Sequence, residues 1–292
     1  MKIVFFGTSD YVLPVLETLL KNFDLRLVVT RPDKPVGRKQ ILTPSAVKTW
    51  AQKNNLAFAT PATMKKETLD RANLLDIFKD IQPDLSVVAD YGLIIPEEIF
   101  NFPKLGTLNI HFSLLPDLRG PSPIQTALLR GNKITGITVF KLESPKELKI
   151  KMDAGPIVWQ KEYPISENDT AETLYSRLFQ EAAKELPGIL RDYSLHPNQY
   201  PLIFQDHSKA TYTKMLSRED GFVPWPQLLN SKDSLTVYNR FRAMFPWPGL
   251  WSLRPAQDKP QRMKILKCHL KENELILDEV QFEGKKPQRF IP

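Results

Sequence analysis

The feature that constrains the fold most strongly is an alternation in the first part of the chain. Short apolar runs alternate with segments whose apolar residues recur at helical spacing. Short apolar runs typical of buried strands stand at 3–6, 25–29, 85–89 and 106–111, and segments with helical spacing separate most of them. Strands that alternate with helices usually pair in parallel, because each helix returns the chain to the same end of the sheet. We therefore predict an α/β fold, with a Rossmann-like, mostly parallel sheet and helices on both of its faces.

The same periodicities divide the rest of the chain. Further strands are predicted at 134–142 and 157–164, and helices at 44–54, 65–81, 123–130 and 171–190. We expect Pro187 and Gly188 to end the last helix early, because proline removes a backbone donor.

A change in the residue pattern after residue 190, from helical and strand periodicity to turn-forming residues, indicates a second domain. Residues 191–206 contain turn-forming residues and little periodicity, so we interpret them as a linker. Short strand-like runs then dominate, which predicts a small β-rich domain over 207–292. Residues 1–190 form the first domain in this interpretation.

The sequence argues against several cofactors. The turn after the first strand, from Gly7 to Asp10, lacks the glycines that let a pyrophosphate approach the backbone, and no P-loop occurs. The single cysteine, Cys268, excludes an internal disulfide and a cysteine-based zinc cluster, and the four histidines do not stand at metal-ligand spacing. We expect neither a nucleotide cofactor nor a metal.

Charge and hydropathy bear on partners and location. The 40 Lys and Arg residues exceed the 33 Asp and Glu residues, which fits a polyanion such as RNA but is common among proteins that bind none. No apolar run approaches the roughly 20 residues of a membrane span or the core of a signal peptide. We expect a cytoplasmic protein with no membrane partner, and take it to be a monomer.

Asn109 and His111 are the residues best placed for catalysis. They stand two apart at the end of a predicted strand, so both side chains face the edge where open α/β sheets bind ligands. An imidazole transfers protons near neutral pH, and an amide N–H stabilises an oxyanion. Asp153, just before the next strand, is placed to orient the imidazole. On spacing alone, a structural Asn–His pair and a turn-forming aspartate are the more common explanation.

Two longer motifs around these residues resemble a known enzyme family. The run from 109 to 125 reads Asn-Ile-His-x-Ser-Leu-Leu-Pro-x-x-Arg-Gly-x-x-Pro-Ile-Gln, and the run from 153 to 157 reads Asp-Ala-Gly-Pro-Ile. In this order they closely resemble the signatures of the folate-dependent formyltransferases. The resemblance covers almost the whole chain, and the segments similar to the branch that acts on methionyl initiator tRNA are 31–48, 91–96, 217–221 and 242–249.

This resemblance implies transfer of a formyl group from the co-substrate 10-formyltetrahydrofolate to the amino group of methionyl initiator tRNA, in support of translation initiation. It implies catalytic roles for Asn109, His111 and Asp153, and an open-barrel, oligonucleotide-binding-like second domain. The residues that it assigns to the folate cleft and its anchoring turn are Val88, Ala89, Tyr91, Gly92, Leu93, Ile94, Ser113, Leu114, Leu115 and Pro116. The residues that it assigns to the acceptor end of the tRNA are Lys34, Arg38 and Lys39.

Three segments depart from the family pattern. The segment 143–152, which would border the folate pocket, is longer and more basic than the usual short acidic turn. Asp90 stands where a small apolar residue is expected, so its carboxylate would repel or re-aim the folate. The second domain is short, because 264–267 leads almost directly to 275–277. We therefore expect a truncated barrel, with tRNA affinity reduced or supplied by the linker and first domain.

Two other functions remain open at this point. One is a formyltransferase that acts on an amino-sugar nucleotide, and the other is a catalytically silent RNA-binding module on the same scaffold. The basic loop and the aromatic segment 245–249 argue against the first, and the retained Asn109, His111 and Asp153 argue against the second. We expect the segment 245–249 to pack in the inter-domain core rather than to stack on a base.

Overall fold

The computed structural model describes residues 1–37, 39–143, 152–197, 199–257 and 259–291. Its strands are β1 (Lys2–Gly7), β2 (Asp24–Val29), β3 (Lys34–Val36), β4 (Ile41–Thr43), β5 (Phe58–Ala59), β6 (Leu85–Ala89), β7 (Thr107–His111), β8 (Ile134–Lys141), β9 (Ile157–Pro164), β10 (Leu250–Arg254), β11 (Gln261–Lys271), β12 (Glu274–Phe282) and β13 (Gln288–Arg289). Its helices are α1 (Leu13–Asn22), α2 (Ala46–Lys53), α3 (Leu69–Ile81), α4 (Glu97–Phe100), α5 (Pro123–Leu129), α6 (Ala171–Leu195), α7 (Trp225–Leu228) and α8 (Ser234–Met244). Within the described ranges, none of these helices is long and apolar enough to cross a membrane.

The chain forms two compact units that each draw on several segments. The first consists of Met1–Pro116, Gly136–Lys161 and Ser176–Ala210, and the second of Asp117–Thr135, Glu162–Tyr175 and Thr211–Pro292. The boundaries at 190 and 206 that we predict from composition stay predictions.

The first unit is built on a sheet with the strand order β5-β2-β1-β6-β7-β8-β9. β1 pairs in parallel with both β2 and β6, β6 pairs in parallel with β7, and β8 runs antiparallel to β7. Residues Ile3 to Phe6 of β1 and all of β6 are buried, which explains why these strands are continuous apolar runs rather than alternating ones. The predicted mostly parallel α/β sheet is therefore confirmed.

Local conformation makes two helices start later than their periodicity predicts. α2 begins after Ser45, whose hydroxyl accepts a hydrogen bond from the backbone N–H of Lys48 at 3.0 Å and so caps the helix. α3 begins at Leu69 rather than at residue 65, because Glu67 has a φ of 63° and cannot belong to a right-handed helix.

The predicted early end of α6 is wrong, since the helix continues through Pro187 to Leu195. The proline removes one backbone hydrogen bond, but the apolar face on either side of it remains buried and includes Leu190 and Tyr193. The Tyr193 hydroxyl also donates to the carbonyl oxygen of Leu105 at 3.0 Å. Burial of this face offsets the missing bond.

The second unit contains a four-stranded antiparallel sheet in the order β10-β11-β12-β13. Glu272 and Asn273, with φ values of 51° and 66°, form the tight turn between β11 and β12. This turn explains why the sequence passes so quickly from one strand to the next. Met263, Ile265 and Cys268 are among the residues that form the apolar core of this unit, and burial raises the pKa of the Cys268 thiol.

The segment 245–249 does not pack as we predict from its aromatic content. Phe245 contacts the apolar core of the second unit. The side chain of Trp247 is turned outward, and the residue is 56% exposed. Gly249 has a φ of 80°, and its N–H donates to the carbonyl oxygen of Met244 at 2.8 Å. The tight turn closed by this bond leaves Trp247 on its outside, so the prediction is wrong for this residue.

Candidate active site

The end of β7 carries Asn109 and His111 on one face of the sheet. β7 lies between β6 and β8, and Asn109 stands beside Val88 on one neighbour and Phe140 on the other. His111 is the last residue of the strand and is buried, while Asn109 is half-buried. The amide and the imidazole therefore lie at the carboxyl edge of the parallel strands, as their spacing predicts.

His111 and Asp153 form a pair at this edge. The distance from His111 Nδ1 to Asp153 Oδ2 is 3.8 Å, and their side chains are only 7% and 13% exposed. That separation is longer than a direct hydrogen bond, but it places the carboxylate close to the ring in a poorly solvated place. The ring of Phe140 meets His111 edge to face, with 6.4 Å between ring centroids.

Close packing of Gly155 holds the loop that carries Asp153. Asp153 has a φ of 51°, a left-handed conformation that aspartate tolerates better than most residues. Two residues later, a Cβ on Gly155 would lie 1.9 Å from the carbonyl oxygen of Lys141, at the end of β8. Only glycine allows the loop to approach the strand this closely.

Replacing Gly155 with alanine is expected to destabilise the protein by about 1–3 kcal/mol, because backbone must move to relieve the overlap. It should also reduce activity, since the movement displaces Asp153. Gly188→Ala is the matched control, because a Cβ at Gly188 meets nothing within 4 Å and alanine suits its helix better. Urea unfolding of both variants tests the prediction, and equal stability of the two would contradict it.

Two polar side chains fix the turn from Ser113 to Pro116. The buried Thr138 hydroxyl donates to the carbonyl oxygen of Ser113 at 2.6 Å and accepts from the backbone N–H of Leu115 at 3.3 Å. Gln160 Nε2 donates to the Leu115 carbonyl oxygen at 3.0 Å and to the Thr138 hydroxyl at 2.8 Å. The Leu115 side chain packs in an apolar cluster with Phe140 and Ile157. This turn is therefore held rigidly next to the His111 edge.

Sequence reasoning misses both Thr138 and Gln160. The only available signal is a threonine in the otherwise apolar centre of β8, which β propensity explains equally well.

The segment 88–94 is divided between the interior and the surface. Val88 and Ala89 are buried within β6, and the Tyr91 ring packs edge-on against Phe6 with centroids 5.4 Å apart. Burial raises the pKa of Tyr91, whose buried hydroxyl has no hydrogen-bond partner among the described residues. Ile94 is 85% exposed. The outer part of this segment is therefore the part that a ligand can reach.

Asp90 lies at the start of that outer part. The residue as a whole is exposed to solvent. Desolvation of its carboxyl by neighbouring protein atoms raises the pKa of that carboxyl and the nearby charge of Asp10 adds to the increase, whereas a hydrogen bond with Ser9 opposes it. The effect of this carboxylate on folate that we expect from the sequence stays a prediction.

The basic loop after β2 contains a short hairpin of β3 and β4. Lys34 pairs with Thr43 across it, and both Lys34 and Lys39 are exposed. Arg38 lies outside the described residues, as does the segment 144–151 of the predicted basic loop. Three apolar side chains of the hairpin are also exposed, namely Val36, Ile41 and Leu42.

Comparison with known proteins identifies the family. The formyl transferase family model matches residues 1–190. A methionyl-tRNA formyltransferase of Caldicellulosiruptor saccharolyticus is 39% identical over 271 residues, which cover 92% of this chain and 79% of that protein. The solved methionyl-tRNA formyltransferase of Clostridium thermocellum has a TM-score of 0.59 and 19% identity, with coverage of 97% and 98%. The Helicobacter canadensis N-formyltransferase in complex with folinic acid and dTDP-3-aminofucose also gives 0.59, with 20% identity and coverage of 97% and 96%.

These matches, together with the α/β sheet and its polar edge, define the protein as a formyl-transferring enzyme. The chain belongs to the formyl transferase family. In the described part of the chain, no group of three or more His, Cys, Asp or Glu side chains could hold a metal ion.

Proposed function

We propose that the protein transfers the formyl group of 10-formyltetrahydrofolate to the α-amino group of methionyl initiator tRNA, with Asn109, His111 and Asp153 as the catalytic residues. The observation that carries this proposal is the pairing of His111 with Asp153 at the carboxyl edge of the sheet, in a chain 39% identical to a methionyl-tRNA formyltransferase. An imidazole next to a carboxylate at that edge suits proton transfer during attack on a carbonyl.

The chemistry follows from the three side chains. The α-amine of an aminoacyl ester titrates near neutrality, so its uncharged form is available to attack the formyl carbon. Attack forms a C–N bond and places negative charge on the formyl oxygen. The Asn109 amide and the protonated His111 ring would stabilise this oxyanion, and the Asp153 carboxylate would orient the ring. The ammonium proton then leaves, a proton reaches the departing folate nitrogen, and the bond from that nitrogen to the formyl carbon breaks.

The donor, when bound, supplies an activated one-carbon unit, and the described residues fit it in two respects. Gly92 faces open space, since a Cβ there would meet no atom within 4 Å, and the neighbouring Ile94 is exposed. These features suit a flat, partly apolar ring system. The turn from Ser113 to Pro116, which Thr138 and Gln160 hold, would anchor the rest of the donor.

The exposed hairpin of β3 and β4 suits contact with the acceptor end of the tRNA. Lys34 and Lys39 project positive charge from it, and phosphate contacts by such residues provide much of the affinity for nucleic acids. We include Arg38 in this proposal because the sequence resemblance assigns it to the acceptor end together with Lys34 and Lys39.

Replacing Lys34, Arg38 or Lys39 with alanine is expected to raise the KM for tRNA and leave hydrolysis of the folate donor intact. Each lost phosphate contact should also reduce the slope of log KM against log salt by about 1. Lys53→Ala, at an exposed position on α2, is the matched control. Initial-rate measurements at several salt concentrations test the prediction, and unchanged tRNA use by all three variants would reject this role for the hairpin.

One assay separates the proposed function from its alternatives. The protein is incubated with 10-formyltetrahydrofolate and either charged initiator tRNA or an amino-sugar nucleotide, and formylated product is identified by mass. We expect product with the tRNA. Product with the sugar nucleotide alone would replace the proposed acceptor, and no product with either would favour a silent scaffold.

A further inference from the structure

The segment after α6 belongs to the first unit and runs beside the start of β9. Ile203 forms two backbone hydrogen bonds with Ile157, of 2.8 and 2.9 Å. Asp206 accepts hydrogen bonds from the backbone N–H and the hydroxyl of Ser208, at 3.1 and 2.6 Å. Of the two residues between Ile203 and Asp206, Phe204 is exposed, whereas Gln205 is only 7% exposed. Hydrogen bonds therefore hold the chain on both sides of a buried Gln205.

The Gln205 amide reaches the loop that carries Asp153. Its Nε2 donates to the carbonyl oxygen of Asp153 at 3.0 Å and to that of Gly155 at 2.7 Å. A side-chain amide has two N–H groups, so one Gln205 can serve both carbonyls. The two hydrogen bonds hold the loop through its carbonyl oxygens. The close packing of Gly155 against the backbone of Lys141 also restricts movement of the loop.

We propose that Gln205 is a positioning residue for the reaction, which fixes the Asp153 backbone so that its carboxylate faces His111. This inference rests on the proposed function, since it assigns Asp153 an action on His111. The carboxylate of an aspartate is only two bonds from its Cα, so its position follows the backbone closely. A displacement of about 1 Å near reacting groups is enough to cost roughly 10²-fold in rate.

Loss of the amide has a clear structural consequence. Leucine at 205 has a similar size but no donor, so two carbonyl groups in a poorly solvated place would lose their partner. A buried carbonyl without a hydrogen bond is unfavourable, and the loop can avoid this by moving toward water. Movement of the 152–155 loop would carry Asp153 away from His111.

The chain offers a matched control in Gln160. Like Gln205, it donates from one Nε2 to two oxygen acceptors, but these belong to the Ser113–Pro116 turn and Thr138. Gln160→Leu removes the same chemical group from the other side of the site. It should therefore raise the KM for the folate donor more than it lowers kcat, whereas Gln205→Leu should do the reverse.

The decisive experiment is a double-mutant cycle on the full-length chain. We expect Gln205→Leu to lower kcat about 10- to 100-fold in the wild-type background. In an Asp153→Asn background the same change should lower kcat less than threefold, because the group through which Gln205 acts is already absent. A purely structural role would give equal factors in both backgrounds. Equal factors, or an unchanged kcat in the single variant, would overturn the inference.

A second measurement separates this inference from the proposed function. Amide hydrogen exchange should become faster in peptides that cover 152–157 of Gln205→Leu, and in peptides that cover 112–116 of Gln160→Leu. This readout needs no turnover. If the wild-type protein formed no product, the proposed function would fail, and unchanged exchange in 152–157 would still reject the positioning role.

Discussion

His111→Ala is expected to lower kcat about 10²–10³-fold, which is the usual effect of removing one donor to a developing oxyanion. The affinity for the folate donor should stay close to that of the wild type, because Thr138 and Gln160 hold the turn from Ser113 to Pro116. Single-turnover rates and donor binding, measured separately, test this expectation.

The control for this variant is His196→Ala, at an exposed position just after α6. It should formylate at the wild-type rate. Near-normal turnover of His111→Ala, or equal losses in turnover and donor affinity, would reject the catalytic role of His111.

Asp153→Asn is expected to cause the second large loss, about 10²-fold or more in kcat, through the charge alone. Asparagine has nearly the same shape and also tolerates the left-handed conformation that Asp153 adopts at a φ of 51°, so the loop should keep its structure. What disappears is the negative charge 3.8 Å from His111 Nδ1.

A double-mutant cycle with His111 provides the more specific readout for Asp153. If Asp153 acts through His111, Asp153→Asn should lower kcat much less in a His111→Ala background than in the wild type. Asp80→Asn, at an exposed position on α3, is the control and should leave kcat unchanged in both backgrounds. Equal factors for Asp153→Asn in the two backgrounds would mean that Asp153 acts on something other than His111.

Much of the first unit could be predicted from sequence because its central strands are buried on both faces. β1 and β6 are continuous apolar runs. A short apolar run between segments of helical spacing is typical of a buried parallel strand. The helix ends were harder, since they depend on particular contacts. α6 continues past Pro187 because tertiary burial outweighs one lost hydrogen bond, which periodicity alone does not measure.

The candidate site shows a similar division. Asn109 and His111 follow from the two-residue period of a strand, which is a local property. Asp153 lies 42 residues after His111, and its position before the next strand fits a turn-forming residue equally well, so the resemblance to a family is the stronger signal that associates it with them. Thr138, Gln160 and Gln205 escape prediction because their partners are backbone carbonyls and hydroxyls distant in sequence. Such contacts leave no periodic signal in a single chain.

The position of Gln205 within the first unit, beyond residue 190, has a practical consequence for exchanging parts between relatives. The family model ends at residue 190, which makes that position an attractive crossover point for chimaeras. A chimaera joined there would take Gln205 from one parent and the loop that carries Asp153 from the other. A crossover after Ala210 keeps both from one parent, in line with the extent of the first unit. Recombination at this limit leaves the hydrogen bonds between Gln205 and the Asp153 loop within one parent's sequence, although it divides the second unit, which also includes 117–135 and 162–175.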